Sequence, residues 1–110
     1  MPVRNIRRRY IKFKIYLINE INEIDVFEGI RTNIKELYGL KGLINSDPKL
    51  IEYDSVKKTG ILRCTHKELR NTRAAIASIT KIQDSELAIH VLKVSGTIKT
   101  LKRKTYSDIF

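Results

Sequence analysis

Arg9-Tyr10-Ile11-Lys12-Phe13-Lys14-Ile15-Tyr16-Leu17 reads with a period of two. Ile11, Phe13, Ile15 and Leu17 fall on one side and Tyr10, Lys12, Lys14 and Tyr16 on the other. That is the pattern of a β-strand with one face on a core and one face carrying rings and cations. After Asn22-Glu23-Ile24-Asp25 the period changes. Phe27, Ile30, Ile34 and Leu37 recur at helical spacing, and Gly39 is a natural stop. Residues 39–48 read as loop, with a short turn at Leu43-Ile44. Leu50 to Val56 predicts a strand, Lys57-Lys58 a turn, and Thr59 to Cys64 the hairpin partner.

Thr65-His66-Lys67-Glu68 has the spacing of a capping box, a hydroxyl residue followed three positions later by Glu. From it a helix is expected to about Ile82, with Leu69, Ala75, Ile76 and Ile79 inward and Lys67, Arg70 and Lys81 outward. Gln83-Asp84-Ser85 breaks it. Glu86 to Val94 is a strand apolar on both faces, which predicts cover on both sides. Ser95-Gly96-Thr97 then opens a short basic helix to about Tyr106. The order β-α-β-β-α-β plus a short C-terminal helix predicts an α+β, ferredoxin-like sandwich with a four-stranded antiparallel sheet, in one domain over 1–110.

The chain has 110 residues, 42% hydrophobic and 31% charged, enough for a single core. Its one cysteine, Cys64, excludes an internal disulfide, and His66 and His90 are too few beside it for a self-contained zinc site. No apolar run approaches membrane-spanning length, and the first residues lack the apolar stretch of a signal peptide. The expectation is a small cytoplasmic protein with no membrane partner. Net charge is +10, from 22 Lys and Arg against 12 Asp and Glu, and it is segregated. Residues 1–14 carry bases and no acid, residues 15–55 have twice as many acids as bases, and the rest is basic again. A merely solubilising charge would be mixed, so the pattern points to a polyanion, with nucleic acid first.

Residues for autonomous catalysis are thin. Glu52 and Asp54 share a strand face, but no third acid or histidine completes a metal-assisted site. Cys64 ends a strand on the core face and reads as a small buried thiol. His66 reads as an exposed residue at a helix start, and His90, on an apolar strand, as an interior histidine. The glycines match no nucleotide-binding spacing. Binding chemistry is better supplied. Tyr10, Lys12, Lys14 and Tyr16 mix rings for stacking with cations for phosphates, although they equally suit a covered sheet face. Arg63, Arg70 and Arg73 are close enough in sequence to form one cationic patch. Ser95, Gly96 and Thr97 offer helix-start N–H groups ahead of Lys99, Lys102, Arg103 and Lys104, an anion site suited to backbone phosphate. Arg7, Arg8 and Arg9 add charge at the start of the first strand.

The run from Gly60 to Ala75, Gly-Ile-Leu-Arg-Cys-Thr-His-Lys-Glu-Leu-Arg-Asn-Thr-Arg-Ala-Ala, resembles the central motif of the archaeal ribonuclease P protein component 2 family. Val91 to Leu101 resembles its second motif and Arg8 to Phe13 its first strand, while residues 19–55 match in pattern only. The resemblance implies a fold similar to RNA-recognition domains. It also implies membership of the ribonucleoprotein that removes 5′ leaders from precursor tRNA. There the RNA subunit and its Mg²⁺ ions perform the hydrolysis, and no cofactor is bound by the protein. It further implies pairing with component 3, beside the other ribonuclease P proteins, and self-association as a dimer of such pairs, a heterotetramer. Two other readings fit the same residues: an RNA-binding module of another ribonucleoprotein, and a protein-interaction subunit that never touches RNA.

Overall fold

The computed structural model describes residues 6–98. In chain order the elements are β1 (Arg8–Tyr16), α1 (Glu23–Ser46), β2 (Lys49–Asp54), β3 (Thr59–Thr65), a 3-10 turn (His66–Glu68), α2 (Leu69–Ala77), β4 (Lys81–Ile82), β5 (Ser85–Glu86) and β6 (Ala88–Ser95). β2-β3-β1-β6 form an antiparallel four-stranded sheet, with the two long pairings of β1 at its centre. Both helices lie on one side of it. Val26, Ile30 and Ile34 of α1 and Ala75 and Ile76 of α2 share one core cluster with Ile11, Phe13, Ile15, Leu62, Cys64 and Ile89. The predicted α+β architecture is therefore present. The short C-terminal helix expected to about Tyr106 runs outside the described residues.

The first helix begins as expected, with Asn22 Oδ1 accepting from the Asp25 N–H at 2.8 Å. Gly39 also interrupts it as expected, at φ 73°, a left-handed angle that glycine adopts without steric cost. The chain beyond Gly39 is not loop, however, because residues 40–46 resume helical turns. Leu43 packs on the core from this second piece. Asp47 closes it in the left-handed region, its N–H donating to the Leu43 carbonyl. The apolar stripe is Val26, Ile30 and Ile34, spaced by four, and Leu37 stays half exposed instead of joining it.

The capping box does not form. Thr65 Oγ1 donates to the Asn45 carbonyl at 2.8 Å, and Glu68 Oε2 accepts from Asn71. A long-range acceptor has taken the hydroxyl, and the chain enters α2 through a 3-10 turn whose first N–H donates to the Arg7 carbonyl. α2 also ends at Ala77, before the expected Ile82, because α1 caps it. Asn33 Nδ2 donates to the Ala75 carbonyl at 2.6 Å and to Ser78 Oγ at 2.9 Å. Ile79 and Ile82 are still buried, but from extended chain, and Lys81–Ile82 pairs with Ser85–Glu86 across Gln83 and Asp84.

The last strand departs most from expectation. Among the described residues, β6 is an edge strand covered on one side only. Ile89, Val91 and Val94 face the helices, while Ala88 and His90 are exposed, so His90 is not an interior histidine. The register slips between Lys12 and Phe13, which leaves Leu92 as an extra residue, 46% exposed.

Candidate nucleic-acid interface

Alternation along β1 sorts its side chains between two environments. Ile11, Phe13 and Ile15 are buried under the helices, and Tyr10, Lys12, Lys14 and Tyr16 stand on the opposite face, which no described helix covers. The ladders extend that face sideways in rows. Tyr10 sits beside Arg63 and Ser95, Lys12 beside Ile61 and Lys93, and Lys14 beside Thr59 and His90. β2 adds Lys49 beside Arg63, Glu52 beside Ile61 and Asp54 beside Thr59. Ile61, only 2% exposed on this face, gives it an apolar centre between Glu52 and Lys12.

The acids of this face lie toward β2, and Asp47 and Asp54 are engaged within the protein. Asp47 Oδ2 accepts from Arg8 Nη1 at 2.8 Å, and this hydrogen bond, helped by Lys49 and Arg63 nearby, holds its carboxyl below the usual range. Asp54 Oδ1 accepts from the N–H groups of Val56 and Lys57, chiefly Lys57 for its lowered pKa, and so closes the hairpin turn. The β1 and β6 residues of the face include no carboxylate. The potential it presents is positive along β1 and β6, while Glu23, Glu28 and Glu36 line the exposed side of α1 in the other layer. The helical layer mixes signs, with these acids beside exposed Arg31, Lys35 and Lys41 on α1 and exposed Arg70 and Arg73 on α2, so a polyanion finds the less contested positive ground along β1 and β6.

The predicted site residues separate accordingly. Arg8, Tyr10, Lys12, Lys14 and Arg63 share the open face. Arg70 and Arg73 are exposed on α2, which packs against the other face beside Cys64 and Leu62, so the three arginines do not form one patch. Strand parity explains this: Arg63 falls between two core residues and must point away from them. Its Nε is buried without a hydrogen-bond partner. Arg9 lies on the helix-side parity, bonds its neighbour's carbonyl and rests against Gly96. Arg7 is exposed, and its carbonyl takes the His66 N–H. Ser95 Oγ accepts from the Thr97 N–H at 3.2 Å, so one N–H of the expected anion site already has a partner. Lys99, Lys102, Arg103 and Lys104 lie outside the described residues.

Sequence reasoning missed Lys49, His90 and Lys93. Their membership is set by register, and only the alternation of the facing strand hinted at it. Elsewhere the groups with chemical potential are quiet. Cys64 is fully buried, and burial pushes its thiol up to about 11, with the Thr72 hydroxyl beside it. Among the described residues, no three of His, Cys, Asp and Glu come together in a way that suits a metal ion.

A family profile described as the Rpp14/Pop5 family matches residues 9–106. Curated relatives match along most of the chain. Ribonuclease P protein component 2 of Pyrococcus furiosus is 34% identical over 97% of this chain and 89% of its own. The protein of the same name from Methanococcus aeolicus is 36% identical over 94% of this chain and 75% of its own. Among solved structures, a chain in the cryo-EM structure of yeast ribonuclease MRP superposes with a TM-score of 0.73 at 15% identity. That match covers 98% of this chain and 88% of the other, and it supports the fold.

Proposed function

The chain belongs to the Rpp14/Pop5 family, and from that premise we propose that it is a protein subunit of a ribonuclease P ribonucleoprotein, binding and stabilising the RNA that removes 5′ leaders from precursor tRNA. The observation that carries this is a 34%-identical relative, named as that component, matched along nearly the whole of both chains. The positive open sheet face supports it, because neutralising RNA phosphates is what Lys12, Lys14, Arg63 and their neighbours are suited to do.

In this reading the polypeptide contributes to an endoribonuclease without performing its chemistry. The hydrolysis and its Mg²⁺ belong to the RNA, and the protein binds no cofactor. The partners are the ribonuclease P RNA, component 3 and the other protein components, with self-association in a dimer of pairs. The precursor tRNA is the substrate of the whole assembly. The location that goes with this role is cytoplasmic; no described helix is long and apolar enough to cross a membrane.

Reconstitution tests the proposal. The RNA and the remaining protein components are assembled with and without this chain, and Mg²⁺-dependent 5′ cleavage is measured. Omission should lower cleavage, and RNA recovered with the tagged protein should be dominated by ribonuclease P RNA. Undiminished cleavage without the chain, or recovery of a different RNA, would overturn the assignment.

A further inference from the structure

At the end of the open face where β1 runs out, two rings meet. Tyr16 and His90 have centroids 4.8 Å apart at 56°, and Lys14 Nζ lies 5.2 Å from the centre of the Tyr16 ring. Lys14 is the register partner of His90, so the three side chains form one cluster across β1 and β6. The cluster is not a roof over the core. Directly behind it Ile15 and Ile89 are already buried at 1% and 3%, while Tyr16 keeps 47% of its exposure and His90 is exposed. Two rings left in water at this position bury too little to explain themselves by stability.

We propose that Tyr16 and His90 form a stacking step for one unpaired RNA base, with Lys14 beside them for its phosphate. The inference rests on the RNA-binding reading above and gives it a base-contacting site. Three observations favour an unpaired strand over the alternatives. The β1 and β6 residues of this face carry no carboxylate, and Asp54, the acid of the same row on β2, is separated by two strands from Lys14's strand partner His90 and already accepts from the Val56 and Lys57 N–H groups. Exposed ring faces serve no purpose against a duplex, whose base faces are hidden, whereas a splayed-out base stacks on them. A ring pair with an adjacent lysine also combines the two elements that hold single strands without sequence preference, a π-platform and a cation on the backbone.

The test uses the full chain, a short fluorescent single-stranded oligouridylate and a duplex RNA of the same length, with binding followed by anisotropy. Tyr16→Ala and His90→Ala should each weaken single-strand binding by roughly 10-fold, and Tyr16→Phe, which keeps the ring, should hold it within about twofold. Duplex binding and melting temperature should stay at the parent values in all three. The proposal is overturned if Tyr16→Ala binds the single strand like the parent while Lys14→Ala does not, which leaves phosphate contact alone. It is equally overturned if the alanine variants lose melting temperature in step with affinity, or if they lose capture of component 3 and not of RNA. A parent protein that binds neither oligonucleotide but still binds ribonuclease P RNA sinks the stacking step and spares the proposed function; failure to bind that RNA as well sinks both.

Discussion

The odd and even residues of β1 belong to one strand and two different kinds of contact. Ile11, Phe13 and Ile15 are at most 1% exposed, in a cluster fed by both helices. Tyr10, Lys12 and Lys14 are only partly buried and Tyr16 is exposed, although each is one residue from a core position. The helix-covered face needs shape and volume, because packed interiors respond to single methylenes. The open face needs charge and rings, and its side chains can change without opening a cavity. Stability and binding are thus separated by parity within nine residues, and substitutions of one parity should leave the other property alone.

The largest effect should come from the odd side. Phe13 is fully buried at the centre of the sheet, and Gly60 opposite leaves room for its ring: a Cβ there would stand 2.6 Å from Phe13 Cζ and 3.1 Å from the Glu52 carbonyl oxygen. Phe13→Ala should cost about 3–5 kcal/mol and Gly60→Ala about 1–3 kcal/mol in denaturant unfolding. A Phe13→Ala protein that unfolds at nearly the parent midpoint would show that the core does not close over this strand.

Next is Cys64, on the same covered face of β3. Its thiol is raised from 9.0 to about 11, mainly because burial disfavours the thiolate. A raised acid is neutral in both states below pH 9, so its contribution is fully present there. Between pH 9 and 11 the unfolded chain ionises and the fold does not, and stability is lost as pH rises, by about 2 kcal/mol in all. The measurement is the difference in unfolding free energy between the parent and Cys64→Ala over pH 8 to 11. A difference that stays flat across this range would contradict the burial of the thiol.

The same parity that makes β1 easy to read made β6 hard. Nine residues of β1 alternate without a slip, so its core face was visible in the sequence. In β6 the extra residue at Leu92 shifts the phase, and Val91 and Val94 face the same way although three positions apart. Counting by two therefore finds apolar residues on both faces and predicts a second cover that the described residues do not supply. The misread helix boundaries share another cause: partners far away in sequence. Thr65 commits its hydroxyl to Asn45, and Asn33, on the other helix, caps α2 at Ala75. The open sheet face was legible through Tyr10, Lys12, Lys14 and Tyr16, whereas the side on which Arg70 and Arg73 fall depended on how α2 docks.

Between the two faces, RNA binding offers a medium-sized test. Replacing Lys12 and Lys14 together by Ala should flatten the dependence of log K on log salt by roughly 1.4 to 1.8, at ~0.7–0.9 per phosphate contact, with no change in melting temperature. The counterpart is Arg70→Ala with Arg73→Ala on α2, which should move the slope less. If the α2 pair moves it more, the RNA lies on the helical layer and the even side of β1 faces something else.

The smallest effect is expected at Asp47, where the two layers join. Its carboxyl is held low first by the hydrogen bond from Arg8, so its contribution to stability is present above the unfolded value near 3.8 and is lost as pH falls through the lower folded value. Both partners are partly exposed, at 29% and 50%, which limits the pair to about 0.5 kcal/mol. Asp47→Asn should therefore barely change the melting temperature at pH 7, since Asn tolerates the left-handed backbone at φ 42° as well as Asp does. It should, however, release Arg8 from its carboxylate and free a cation for phosphate, steepening the salt dependence by ~0.7–0.9. If the variant binds RNA more weakly with an unchanged slope, Asp47 is holding Arg8 in its binding position. The ion pair would then belong to the interface, and would not compete with it.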